Sequence, residues 1–128
     1  MKKNARDIYH RFEGKLVGSF LMKVHVCETL VQMPDEIIDY ITTNCWFFGS
    51  MEDAWAFTLT GNDLANQHLI FISDELLMQN PDQIQHTIVH EIGHVVLKHR
   101  NAILVHQSKK EIQKQEKEAN AFATKYLS

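Results

Sequence analysis

No stretch of about 18 apolar residues occurs in the sequence, so a membrane-spanning helix is not expected. Met1-Lys2-Lys3 is not followed by an apolar segment of the kind a secretory leader needs. The stretch from Leu16 to Val26 is interrupted by Lys23 and His25. A cytoplasmic location is therefore expected. Cysteine is scarce: Cys27 and Cys45 are the only two, and neither sits in a CxxC spacing. Two such residues in an unsecreted chain are expected to be free, buried thiols rather than a disulfide. There is no excess of basic charge either. The formal net charge is −3, which argues against an electrostatic nucleic-acid binder. Internal repeats, low-complexity stretches and linker-like segments are all lacking.

What remains is 128 residues, 45% apolar and 23% charged, a balance that suits one domain, residues 1–128, with one core. From about Ala5 to Val31 the positions Ile8, Phe12, Leu16, Phe20, Val24, Cys27 and Val31 follow helical spacing. Gly14 and Gly18 interrupt that pattern and are places for a kink or break. Pro34-Asp35-Glu36 reads as a helix start, with Ile37 to Thr43 following. Three strands are predicted, at Trp46 to Phe48, at Trp55 to Thr60 by apolar alternation, and at His68 to Ile72. Gly61-Asn62-Asp63 is turn chemistry. Asn80-Pro81-Asp82-Gln83 is a helix N-terminus with a capping Asn, a Pro in the first turn and an acid at the positive dipole end. That helix should reach about Lys98, and a last one should span about Lys109 to Leu127.

Histidine is the abundant residue: eight in all, three of them (His86, His90, His94) within nine positions. His90-Glu91-Ile92-Gly93-His94 matches HExxH. Residues four apart on a helix lie one turn apart on nearly one face, so two imidazoles there can bind one zinc ion. Glu91 falls beside them, where its carboxylate can act as general base on a water whose pKa the zinc lowers. Context sets the motif apart from a chance pair. At about 100° per residue, Ile84, Ile88, Ile92 and Val95 form a core stripe, with His90 and His94 together away from it. Gly93, unfavourable inside a helix, points to close packing or clearance near the site.

Zinc in a catalytic site takes a third protein ligand and keeps an open position. His86 shares the histidine face, but three ligands along one straight helix cannot converge on one ion. His99 falls on the opposite face of a continuing helix. The metzincin pattern fails because Leu97 and Arg100 stand where it needs glycine and histidine. His106 stays possible if the chain turns back. Glu116 is preferred. In the last helix Ile112, Ala119, Phe122, Ala123, Tyr126 and Leu127 form one stripe, Glu116 falls within it, and a buried carboxylate needs a partner such as a metal ion. Asn120, one turn on, could accept a hydrogen bond from a ligand histidine. Zinc is the metal that two His and one carboxylate on such a helix suit best.

His90 to His94, followed by Glu116-Lys117-Glu118-Ala119-Asn120-Ala121-Phe122-Ala123, resembles the ImmA/IrrE-type metallopeptidases. These carry HE-(L/I)-(G/A)-H and then E-x-x-A-N/D-x-F-A. The resemblance spans about the last 40 residues. It implies the gluzincin arrangement, with His90, His94 and Glu116 as zinc ligands and Glu91 as base, in a small α+β zincin-like domain. A short mixed or antiparallel sheet of about three strands would pack on the HExxH helix and the C-terminal helix. Its edge strand, one of the three between Trp46 and Ile72, would pair with an extended substrate. The activity implied is a zinc metallo-endopeptidase acting on a protein or peptide, in known members often a regulatory protein. No helix-turn-helix or sensor domain is recognisable. The chain is also similar to minimal single-domain gluzincins, some of them latent. Two alternatives stand beside the enzyme: a latent form, and a binding module that keeps zinc for folding, with Cys27, Cys45 or His106 as fourth ligand. Tyr40, Tyr126 and His106 are candidate oxyanion donors, and a structural role is the better expectation for each.

Overall fold

The computed structural model describes residues 4–50, 56–60, 67–97 and 108–127. Asn4 caps the first helix, α1 (Ala5–Arg11), through its side chain and the backbone N–H of Asp7. The helix ends where Glu13 and Gly14 turn to positive φ, 51° and 88°. Gly14 takes that conformation without strain. The helical spacing from Ala5 to Val31, with Gly14 and Gly18 as expected places for a break, is divided there into three elements: α1, a two-residue strand β1 (Leu16–Val17), and α2 (Phe20–Val31) capped by Ser19. The helical spacing across the break is coincidence, since both helices and the strand between them bury apolar residues in the same core.

The helix α3 (Asp35–Asn44) begins after Pro34 and runs directly into β2 (Cys45–Ser50). Strand β3 (Ala56–Thr60) and strand β4 (His68–Ser73) follow, then a single turn α4 (Asp74–Leu77) capped by Ser73. Four residues are too few to show a periodicity, which is why α4 escapes a reading by pattern. The helix α5 (Pro81–Val96) carries the HExxH motif, and α6 (Lys109–Tyr126) closes the described fold. Residues 61–63, read as a turn, and 98–107 lie outside the described residues. No described helix is long and apolar enough to cross a membrane.

The described strands form one sheet in the order β1-β2-β4-β3. The class is α+β, but the expectation of a short mixed or antiparallel sheet of about three strands is corrected: four described strands form it, and most of its pairing is parallel. β1, β2 and β4 run parallel, and antiparallel pairing is confined to β3 with β4. β2 and β4 are rich in apolar residues, as parallel strands commonly are. β3 alternates Phe57 and Leu59 with Thr58 and lies at the edge.

Phe47, Ile70 and Ile72 point into the core, where Phe12 meets Phe47 edge-on at 5.7 Å between ring centroids. Met22, Val26 and Leu30 of α2 and Ile88 and Ile92 of α5 complete it. Each such side chain contributes roughly 1.5–3 kcal/mol by leaving water. On the other side of the sheet Trp46, Phe48 and Phe71 are half-buried and stacked in sequence, at 6.0 and 5.4 Å. α5 packs against α6, β3 and α2, so the motif helix stands between the edge strand and the last helix.

Candidate metal centre

The N-terminus of α5 is set as its sequence demands. The Asn80 side chain accepts from the backbone N–H of Gln83 at 2.8 Å, Pro81 occupies the first turn, and Asp82 follows. The helix buries Ile84, Ile88, Ile92 and Val95. This leaves His90 and His94 half-buried on another face, their rings 4.8 Å apart and nearly perpendicular.

α6 brings the third group. Ser108 caps it, accepting from the backbone N–H of Glu111. Ala119, Phe122 and Ala123 bury its far half. A Cβ placed on Gly93 would lie 3.0–3.2 Å from ring and Cβ atoms of Phe122. The missing side chain at Gly93 therefore sets how closely α6 approaches α5. At that approach the Glu116 carboxylate reaches both histidines. Its Oε2 lies 2.9 Å from His90 Nε2 and its Oε1 3.1 Å from His94 Nε2.

The ligand atoms of His90, His94 and Glu116 lie within 4.8 Å of one another. Bonds of about 2.0–2.2 Å to a tetrahedral zinc ion put neighbouring ligand atoms roughly 3.3 Å apart. The two His–Glu separations are near that size, although they run to different oxygens of the one carboxylate, so the donor set suits such an ion in number and kind and its atoms already lie close together. Among the described residues this is the one group of three or more His, Cys, Asp or Glu side chains that meets so closely.

Glu116 meets the two histidines, but the expectation that it is buried in an apolar stripe is corrected. Its side chain is 52% exposed, and Ile112, one turn earlier, is 46% exposed. The N-terminal half of α6 projects beyond the core, so Glu116 stands at the mouth of the site rather than within an apolar interface. His86 lines the same cavity without joining the ligand group. His99 and His106 lie outside the described residues.

Cys27, on α2, and Cys45, at the start of β2, are free and buried. Burial, with Glu28 nearby, pushes the Cys27 thiol up to about 11. Burial pushes Cys45 up as well, against the opposing charge of Lys15. Neither belongs to the ligand group, so a fourth cysteine ligand is not found among the described residues. Tyr40 hydrogen-bonds His68 Nε2 at 2.9 Å, and Tyr126 packs on Phe122 at 4.8 Å. Neither lines the cavity.

Glu91 is 5% exposed. Thr58 Oγ1 donates to its Oε1 at 2.7 Å, and its Oε2 lies 3.8 Å from His90 Nε2. Burial is the largest influence on this carboxyl and raises its pKa. The Thr58 hydrogen bond and His90 oppose the rise, and Glu116 adds to it. A cavity of about 350 Å³ opens over the group, bounded by Ala56 and Thr58 of β3, by Gln83, His86 and Thr87 of α5, and by Asn120. Asn120 thus borders the site, as its spacing from Glu116 suggested. Thr58 was not foreseen: it lies 33 residues before Glu91, and no local spacing connects a strand threonine with a helix glutamate.

A family described as Protein of unknown function (DUF3920) matches the chain over residues 21–128. No curated protein and no solved structure matches it.

Proposed function

The chain belongs to the DUF3920 family, and we propose that it is a cytoplasmic, zincin-like, zinc-dependent metallo-endopeptidase acting on a protein or peptide. The observation that carries this reading is the convergence of two helices. His90 and His94 from α5 and Glu116 from α6 meet as a ligand set, with a fourth group, Glu91, buried beside it and left out of it. A site that served folding alone would have no use for that second carboxylate. Two free, buried thiols fit a reducing compartment.

Zinc, when bound, supplies a Lewis acid and lowers the pKa of a coordinated water to about 7. The chain's own residues do the rest. Glu91 Oε2 faces the ligand group and takes a proton from the attacking water as it adds to the scissile carbonyl. The same carboxyl then delivers that proton to the amide nitrogen as the C–N bond breaks. β3, at the edge of the described sheet and beside the cavity, offers its backbone to an extended peptide. Such pairing confers affinity with little demand on sequence.

The test is elemental analysis of protein purified without added metal, followed by hydrolysis of fluorescently labelled casein. The expected result is about one zinc per chain, markedly less in Glu116→Ala. Glu91→Gln should retain its zinc and lose hydrolysis by about 100-fold or more. Absence of zinc even after reconstitution, or hydrolysis retained by Glu91→Gln, would overturn the reading.

A further inference from the structure

The peptide-bond chemistry assigned to Glu91 needs its carboxylate held in one plane, and the glutamate cannot do this itself. The last torsion of a Glu side chain joins a tetrahedral to a planar carbon, and its preference is broad. Helix geometry fixes where the Glu91 carboxylate is, but not which oxygen faces the ligand group. That is decided from outside α5. Thr58 Oγ1, on a residue 3% exposed, lies 2.7 Å from Oε1. The ionised carboxylate only accepts, so the hydroxyl donates, in a short, charge-assisted bond. The other oxygen is turned to the ligand histidines, 3.8 Å from His90 Nε2 and too far for a hydrogen bond.

We infer that Thr58 is a positioning residue for the hydrolytic reaction: its hydroxyl pins Glu91 Oε1 and so presents Oε2 to the metal centre. This rests on the metallopeptidase reading. The anchor is itself well held. Thr58 pairs in register with Ile70, which is fully buried on the strand β4. The same strand forms one wall of the cavity through Ala56. One element thus borders the space for substrate and orients the base.

Without the hydroxyl, Oε1 loses this donor, and the carboxylate turns about its free torsion toward the bound metal. The variant should therefore change the coordination of the ion as well as the rate. A valine keeps the shape of threonine and removes the donor, and a serine keeps the donor.

The test uses the full chain loaded with cobalt(II) in place of zinc and reads its visible absorption spectrum, alongside kcat and KM on labelled casein. Thr58→Val should bind one metal per chain and show an altered cobalt spectrum. Its kcat should fall on the order of 10- to 100-fold, with KM within about twofold of wild type. Thr58→Ser should restore the spectrum and most of kcat. An unchanged spectrum and kcat in Thr58→Val, or a Thr58→Ser as impaired as the valine variant, overturns the inference. If the valine variant fails to fold, Thr58→Ala carries the same expectations. A wild type that binds cobalt but hydrolyses nothing defeats the peptidase reading, and the spectra alone then decide the role of Thr58. A wild type that binds no cobalt defeats both.

Discussion

The protein holds histidine in two kinds of surroundings, and the contrast shows what turns an imidazole into a ligand. His68, at the start of β4, is buried against Tyr40, whose phenol meets its Nε2 at 2.9 Å. One neutral partner satisfies that nitrogen, and burial lowers the pKa of the ring. His90 and His94 face instead a shared carboxylate, with a second carboxylate beside them and a cavity above. In the first place the imidazole is a polar group made compatible with the core. In the second, several groups wanting a positive charge converge on a space that can admit one.

The sharpest way to break that contrast is to remove a histidine from each. His94→Ala should reduce zinc content to near zero, and His68→Gln should leave it at the wild-type level, both read by elemental analysis. Equal losses would mean that the two places are not different in kind. Next in size is Gly93→Ala. The added methyl meets Phe122 at 3.0 Å, and α6 must shift or the ring must give. Overpacking of this kind costs about 1–3 kcal/mol, and any displacement of α6 also moves Glu116 from the histidines. Lower thermal stability together with weaker zinc affinity is expected. Lower stability alone would show that the ring, rather than the helix, gives way.

Smaller effects belong to the Tyr40–His68 pair. Tyr40→Phe removes a hydrogen bond worth about 1 kcal/mol and should lower stability by that order in urea unfolding, with zinc content unchanged. The acid dependence follows from the lowered pKa of His68. The unfolded chain binds a proton there at about pH 6.5, while the folded chain resists it to lower pH. Its contribution is therefore intact above about pH 6.5 and is lost as pH falls. Replacing His68 with Gln should flatten that part of the stability profile, measured by urea unfolding from pH 7 to pH 5.

Much of the site was legible from residue order because its parts are local. HExxH places three groups on one helix by its pitch alone, and the Glu116 to Ala123 segment announces its own helix. The structure brings Glu116 to the two histidines, yet the argument from burial fails, because periodicity describes a face and not how far along that face the core extends. The same limit explains the first helix. Spacing from Ile8 to Val31 looks continuous, although Glu13 and Gly14 turn the chain and a short strand intervenes. The direction of the strands was less accessible, since the choice between parallel and antiparallel pairing depends on how the intervening segments cross over.

Residue order by itself determined what is carried by one helical turn: the cap at Asn80, the core stripe of α5, the adjacency of His90, Glu91 and His94, and the absence of long apolar runs. Only the tertiary structure decided what requires separate elements to meet. It set the edge position of β3, the approach of α6 that the bare backbone of Gly93 permits, and the bond from Thr58 to Glu91. The physical reason is the range of the interactions. Helix pitch and capping act over three or four residues, whereas a hydrogen bond between residues 33 apart exists only once the sheet and the helix have packed.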